Sequence, residues 1–404
     1  MNSSVDLELQ YGANNYEPLP VTLRRGEGVY LWDESGKRYL DMMSAYSAVS
    51  FGHCHPKIVQ ALQEQAGQLG VVSRAFYTDK LGPFLQTVCE LTGFEKALPM
   101  NSGAEAVETA LKAARKWAYT VKGIRPHKAE IISCEGNFHG RTLALISMSS
   151  EVQYQAGFGP FLPGLKTIHY GKAEDLELAI TPNTAAFIVE PIQGEGGIIV
   201  PPAGYLKTCA EICKKNKVLF LCDEIQTGLG RTGKLLACDH EGVKPDAVML
   251  GKALGGGLLP VSLFLAQKEL MQVFHPGDHG STFGGNPLAA VVGKRALEIL
   301  VEDQLILRAA EQGHYFIEKL QALSSPVIKE VRGKGLLLGL EVHSKFSARD
   351  LCLKLLKYGI LSKETHKTVV RLAPPLIITQ AQIDEALTMI EQALAEIETE
   401  AQGS

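Results

Sequence analysis

Val218-Leu219-Phe220-Leu221-Cys222-Asp223-Glu224-Ile225-Gln226 is a short apolar run that stops on a pair of acids. A second run follows, Asp246-Ala247-Val248-Met249-Leu250-Gly251-Lys252-Ala253, and leads into Leu254-Gly255-Gly256-Gly257. Apolar runs of this length, bounded by turn residues, read as buried strands of a parallel sheet. Ligands of such sheets gather at the C-terminal strand ends, where Asp223 and Lys252 fall. A carboxylate and an amine beside glycine-rich backbone suit pyridoxal phosphate (PLP). The amine forms a Schiff base with the aldehyde, and the acid faces the protonated ring nitrogen.

Working outward, strand-like runs at Glu130–Cys134, Ala185–Glu190 and Val261–Ala266 alternate with helical periodicity in Ala104–Val121, Tyr205–Asn216 and Ala289–Val301. That alternation predicts an α/β domain with a mostly parallel central sheet. After Asn286-Pro287 the pattern changes to a long helix, a strand near Gly335–Val342, and further helices ending with one from Gln380. This predicts a smaller α+β domain, with which the strand pair around Gly28–Asp41 packs. The expected division is a large domain of residues 46–286 and a small one made of 1–45 and 287–404.

Composition narrows the function. A charged content of 21% and a net charge of −4, with no Lys/Arg block, argue against a nucleic-acid surface. No stretch approaches the roughly 20 apolar residues of a membrane span, and the N-terminus lacks a signal-like apolar core. The eight cysteines have no repeated CxxC spacing and read as reduced thiols of a cytoplasmic protein. His53-Cys54-His55 lacks a second ligand set, so it reads as a turn before the helix near Pro56, and no metal is expected.

Asn101-Ser102-Gly103-Ala104-Glu105 precedes an amphipathic helix with capping-box spacing. Alone it is an ordinary helix start; beside Asp223 and Lys252 downstream it becomes a candidate phosphate cradle, through free N–H groups and the positive dipole end. Opposite charges at about 4 Å and an effective dielectric near 20 attract by roughly 4 kcal/mol. That is about three pK units, enough for Asp223 to keep a pyridinium protonated. Gln226 is placed to donate to the phenolic oxygen and Ile225 to pack beneath the ring. Gly228-Leu229-Gly230-Arg231-Thr232-Gly233 matches GxGxxG after a strand, but no helix opens on its glycines, so it is not read as a dinucleotide loop.

Long motifs then carry a resemblance: Tyr11-onward YGANNYEPLPV, GVYLWDESGKRYLDMMSAYSAV from Gly28, GNFHGRT from Gly136, VEPIQGEGG from Val189, LFLCDEIQTGLGRTG from Leu219, LGKALGGGLLPVS from Leu250 and HGSTFGGNP from His279. The chain resembles the class III, fold-type I PLP-dependent aminotransferases, and within them the ornithine δ-aminotransferase branch. The resemblance implies that Lys252 carries the cofactor and shuttles the proton, that Asp223 meets the ring nitrogen and Gln226 the phenolic oxygen. It implies that Ser102, Gly103 and Ala104 hold the phosphate, that Phe138 stacks on the ring, and that Thr282 reaches the phosphate of a neighbouring subunit in a homodimer with shared sites.

For substrates it implies ornithine and 2-oxoglutarate/glutamate. Arg141 with Tyr16 would hold the α-carboxylate of ornithine. Glutamate would place its side-chain carboxylate on Arg141 and its α-carboxylate on Arg371. Glu195 would neutralise Arg371 while ornithine is bound, and Tyr46 would shape the ornithine pocket. His139 departs from the tryptophan of animal ornithine enzymes. An acetylornithine or other ω-amino acid aminotransferase is the alternative within the family. An aminomutase fits the paired arginines less well, and a binding protein without catalysis fits the retained lysine and aspartate less well.

Overall fold

The computed structural model describes residues 3–402. Near the N-terminus, β1 (Leu23–Glu27), β2 (Tyr30–Asp33) and β3 (Arg38–Asp41) form an antiparallel meander. The central sheet follows with β4 (Lys96–Met100), β5 (Glu130–Cys134), β6 (Leu165–Ile168), β7 (Thr184–Val189), β8 (Leu219–Asp223), β9 (Ala247–Leu250) and β10 (Ser262–Ala266). Its spatial order is β4-β10-β9-β8-β7-β5-β6. Strands β6, β5, β7, β8 and β9 pair in parallel, and β10 alone runs opposite to its neighbours.

The interior strands β7, β8, β9 and β10 are buried along their whole length, which is why they read as continuous apolar runs. The two strands that the apolar runs do not announce, β4 and β6, are the sheet's edges. Strand β4 contains Pro99, which an edge tolerates because one side of the strand needs no donor. The helix Gly103–Thr120 lays Ala106, Val107, Ala110 and Ala114 against β9 and β10, small residues that let backbone and sheet approach closely.

The C-terminal region supplies β11 (Ile328–Lys334), β12 (Leu337–Val342), β13 (Ile360–Leu361), β14 (Lys363–Thr365) and β15 (Val369–Leu372). Four of these form the antiparallel sheet β11-β12-β15-β14, while β13 leaves it to pair in parallel with β3. The N-terminal meander is therefore completed by a strand from near the other end of the chain. One apolar core runs from Val29 and Leu40 through Phe220 and Leu250 to Ile390 and Ile397 of the helix Gln380–Gln402.

Between β3 and the central sheet the backbone does something costly. Ser44, Ala45, Tyr46 and Ser47 all have positive φ, at 48°, 45°, 60° and 75°. A left-handed turn costs L-residues roughly 1–2 kcal/mol each, so the surroundings must hold it. Asp41 Oδ1 accepts from the amides of Met43 and Ser44 at 2.8 Å each, and Ser44 Oγ donates to the Ala373 carbonyl at 2.7 Å.

Candidate active site

Four adjacent parallel strands deliver side chains to the same place. Asp223 is the last residue of β8, Lys252 lies two residues beyond β9, Glu190 follows β7, and the Phe138-His139 pair follows β5. Together with Ile225, Gln226 and Glu195 they line a cavity of about 180 Å³. The start of the helix Gly103–Thr120 closes one side through Gly103 and Ala104, whose amides have no intrahelical acceptor. Ser102 caps that helix: its Oγ accepts from the Glu105 amide at 3.2 Å, and the Glu105 carboxylate accepts from the Ser102 amide at 2.7 Å. A Cβ on Gly103 would press Ile225, and one on Gly194 would overlap Gln226 Oε1, so both glycines are needed for this packing.

Asp223 is buried and accepts from two sides. Its Oδ2 lies 2.7 Å from His139 Nδ1, and its Oδ1 takes the Ile225 amide at 3.1 Å. Burial opposes a charge on His139, but the hydrogen bond and charge of Asp223 outweigh it and raise the imidazole above its ordinary range. Burial lowers the Lys252 amine below its ordinary range, against the pull of Glu195 and Asp223. A buried amine held toward neutrality is a nucleophile. Lys252 itself sits at φ 45°, a strained conformation of the kind found where side chains are aimed for chemistry. Burial pushes Glu190 up to about 7, although its carboxylate accepts from the amides of Phe138 at 3.0 Å and Gly194 at 3.4 Å.

The arginines come from outside the sheet ends. Arg371, on β15, is fully buried; its Nη2 lies 3.0 Å from Glu195 Oε2, and its guanidinium carbon lies 5.0 Å from the Tyr46 ring centre. Burial opposes the charge of Glu195, yet Arg371 and Lys252 hold its carboxyl below the usual range. Arg141 is exposed and stacks on Tyr154 at 4.1 Å and on Phe138 at 5.6 Å. Tyr16 is 70% exposed but lies within electrostatic range of Tyr46. Thr282 is exposed and does not line the cavity; its neighbour Ser281 accepts from Asn101 Nδ2 at 2.7 Å, beside Ser102.

Among the described residues several buried polar atoms have no partner: Gln226 Oε1, His139 Nε2, and Arg371 Nε and Nη1. Unpaired groups of this kind, gathered in and around one cavity, mark a place for a polar ligand. Glu190 and Tyr154 are the residues that motif reading passes over. Glu190 carried the same signal as Asp223, an acid closing a fully buried strand. Tyr154 lies in a short helix and no spacing marks it.

The family profile described as Aminotransferase class-III matches residues 11–394. A curated relative, ornithine aminotransferase of Geobacillus sp. (strain WCH70), is 58% identical over 391 residues, covering 97% of this chain and 98% of that one. Among solved structures, ornithine aminotransferase from Toxoplasma gondii ME49 superposes with a TM-score of 0.97 at 45% identity, over 99% of this chain and 97% of that one. Acetylornithine aminotransferase from Elizabethkingia anophelis gives 0.89 at 49% identity, over 97% and 98%. The chain belongs to the class III aminotransferases. Its fold is fold type I, and the family's cofactor is pyridoxal phosphate. The residues present fit that group: an amine, an acid at a strand end, an amide side chain whose Nε2 makes only long hydrogen bonds of 3.4 and 3.5 Å, and a helix start with free amides share one cavity.

Proposed function

We propose that this chain is an L-ornithine:2-oxo-acid δ-aminotransferase. It moves the terminal amine of ornithine to 2-oxoglutarate, giving glutamate and glutamate-5-semialdehyde, which cyclises to pyrroline-5-carboxylate. The observation that carries the reading is buried Arg371, paired with Glu195 and lying over Tyr46, together with an exposed Arg141 stacked on Tyr154.

When bound, the cofactor supplies the electron sink for ionising a C–H bond beside nitrogen. Lys252, held toward neutrality by burial, would attach the cofactor and carry the proton. Asp223, oriented by His139, would meet the ring nitrogen. Gln226 would serve the phenolic oxygen, Ile225 and Phe138 would pack against the ring, and Ser102, Gly103 and Ala104 would hold the phosphate, with Thr282 reaching the site of a second copy. Arg141 and Tyr16 take the α-carboxylate of ornithine. Glu195 neutralises Arg371 so that the terminal ammonium of ornithine is not repelled, and turns away when glutamate needs that arginine. The protein works as a cytoplasmic homodimer, with residues 46–286 as the large domain and 1–45 with 287–404 as the small one. Among the described residues no helix is long and apolar enough to cross a membrane.

The likeness to an acetylornithine aminotransferase favours a second reading, use of N-acetylornithine. Comparing ornithine, N-acetylornithine and 4-aminobutyrate as donors to 2-oxoglutarate decides between them. Ornithine is expected to give the highest kcat/KM; a clear preference for N-acetylornithine would replace the substrate and leave the cofactor chemistry standing.

A further inference from the structure

The Gly228–Gly233 run, which opens no helix, buries a guanidinium completely. No ion pair involving Arg231 occurs among the described residues; Asp41 is the one acid close enough to favour its charge. Its two Nη groups donate instead to neutral acceptors on three distant segments, and its Nε has no partner among the described residues. Nη1 donates to the Leu336 carbonyl at 2.9 Å and the Pro374 carbonyl at 2.5 Å, and Nη2 donates to Ser50 Oγ at 2.8 Å. A charge buried on neutral partners is expensive, and apolar residues of similar volume often serve stability as well or better. Stability alone therefore explains this arginine poorly.

Its partners lead to the substrate end of the site. Ser50 Oγ donates to the Ser47 carbonyl at 2.9 Å, the last residue of the left-handed turn that carries Tyr46. Pro374 lies three residues beyond Arg371. Between them, Ala373 accepts from Ser44 Oγ at 2.7 Å and donates its amide to the Met42 carbonyl at 2.7 Å. The Leu376 amide donates to the Ser50 carbonyl at 2.8 Å. These bonds close a frame in which the strained turn and the end of β15 are both fixed to one guanidinium. The frame's product is the Arg371 guanidinium held 5.0 Å from the Tyr46 ring centre.

We propose that Arg231 is a positioning residue for substrate selection, clamping the Tyr46 turn to the Arg371 strand end so that Arg371 meets a carboxylate in the right place. This rests on the role given to Arg371 above.

The test uses Arg231→Met, of similar reach without donors, and the milder Ser50→Ala, both as holoenzyme. Glutamate and ornithine half-reactions are followed separately, scaled to active sites counted by cofactor absorbance, with Tm alongside. Misplacing a binding group by about 1 Å costs up to about 100-fold. The expected result for Arg231→Met is a rise of about ten-fold in the KM for glutamate, with a smaller change in kcat. Ser50→Ala should move KM the same way by less. A fall in Tm with unchanged KM per active site would overturn the proposal and leave Arg231 a structural group. Should Arg231→Met fail to fold, Ser50→Ala decides, and an unchanged KM there overturns it too. A wild-type enzyme unable to use glutamate would sink the functional reading instead.

Discussion

Arg141 and Arg371 both present a guanidinium beside the same cavity, and they are built in opposite ways. Arg141 is exposed, lies on the faces of Tyr154 and Phe138, and needs no counter-charge because water solvates it. Arg371 is buried and shares one nitrogen with Glu195, while two other donors remain unpaired. Breaking a buried pair by removing one partner typically costs about 3–5 kcal/mol, so Arg371 tolerates one charged neighbour at a time in place of another. In the proposed function the Arg141 end is open to a carboxylate throughout, and the Arg371 end opens only when Glu195 gives way.

The largest effect should come from the residue between the two ends. Lys252→Ala is expected to lower kcat by roughly 10⁵-fold or more in both half-reactions, on the scale of losing a nucleophile elsewhere. Sustained multiple turnover with either substrate would break the assignment, and unequal loss would show that the two ends do not share one amine.

Glu195→Ala separates the ends. It should leave the glutamate half-reaction within a few-fold and lower kcat/KM for ornithine by about 100-fold, the scale of a like-charge juxtaposition of about 3 kcal/mol. Equal damage to both halves, measured by single-turnover absorbance, would remove the contrast between a masked and an open arginine.

The smallest effect concerns Glu190, which touches neither arginine. Its folded pKa, raised by burial to about 7 against an ordinary 4.5, means that the folded protein keeps a proton that the unfolded chain releases. The stability it contributes is present below about 4.5 and is lost as pH rises through about 7. His139, also raised, loses stability in the same direction, so the comparison must be with a variant. In cofactor-free protein, Glu190→Gln should show a shallower fall of Tm than wild type between these pH values. Parallel curves would rule out a proton held on Glu190.

The cofactor residues and the substrate residues also differ in how far the sequence announces them. Asp223 ends a strand buried on both faces and Lys252 lies two residues beyond another, so hydrophobicity alone marks them. Strands β4 and β6 are short edges with mixed or proline-containing sequences, and they leave no such mark. Arg371, Glu195 and Tyr46 meet through contacts between segments far apart in the chain, whereas Arg141 stacks on Phe138 and Tyr154 near it in sequence, and only their motifs name them. The left-handed turn at Ser44–Ser47 is invisible in a sequence without glycine there, because tertiary hydrogen bonds impose it. Glu190 was readable by the same logic as Asp223.

The pairing of β3 with β13 has a consequence for how the protein is made. A ribosome releases the meander of Leu23–Asp41 first, yet the strand that completes it, Ile360–Leu361, emerges more than three hundred residues later. The Tyr46 turn likewise waits for Ala373. Domains tend to fold as they emerge, and contacts between distant segments form slowly. The central sheet, with Asp223 and Lys252, is complete in the nascent chain well before either element closes. The residues proposed to cradle the cofactor are thus synthesised first, and the end proposed to select the substrate can close only when translation has almost finished.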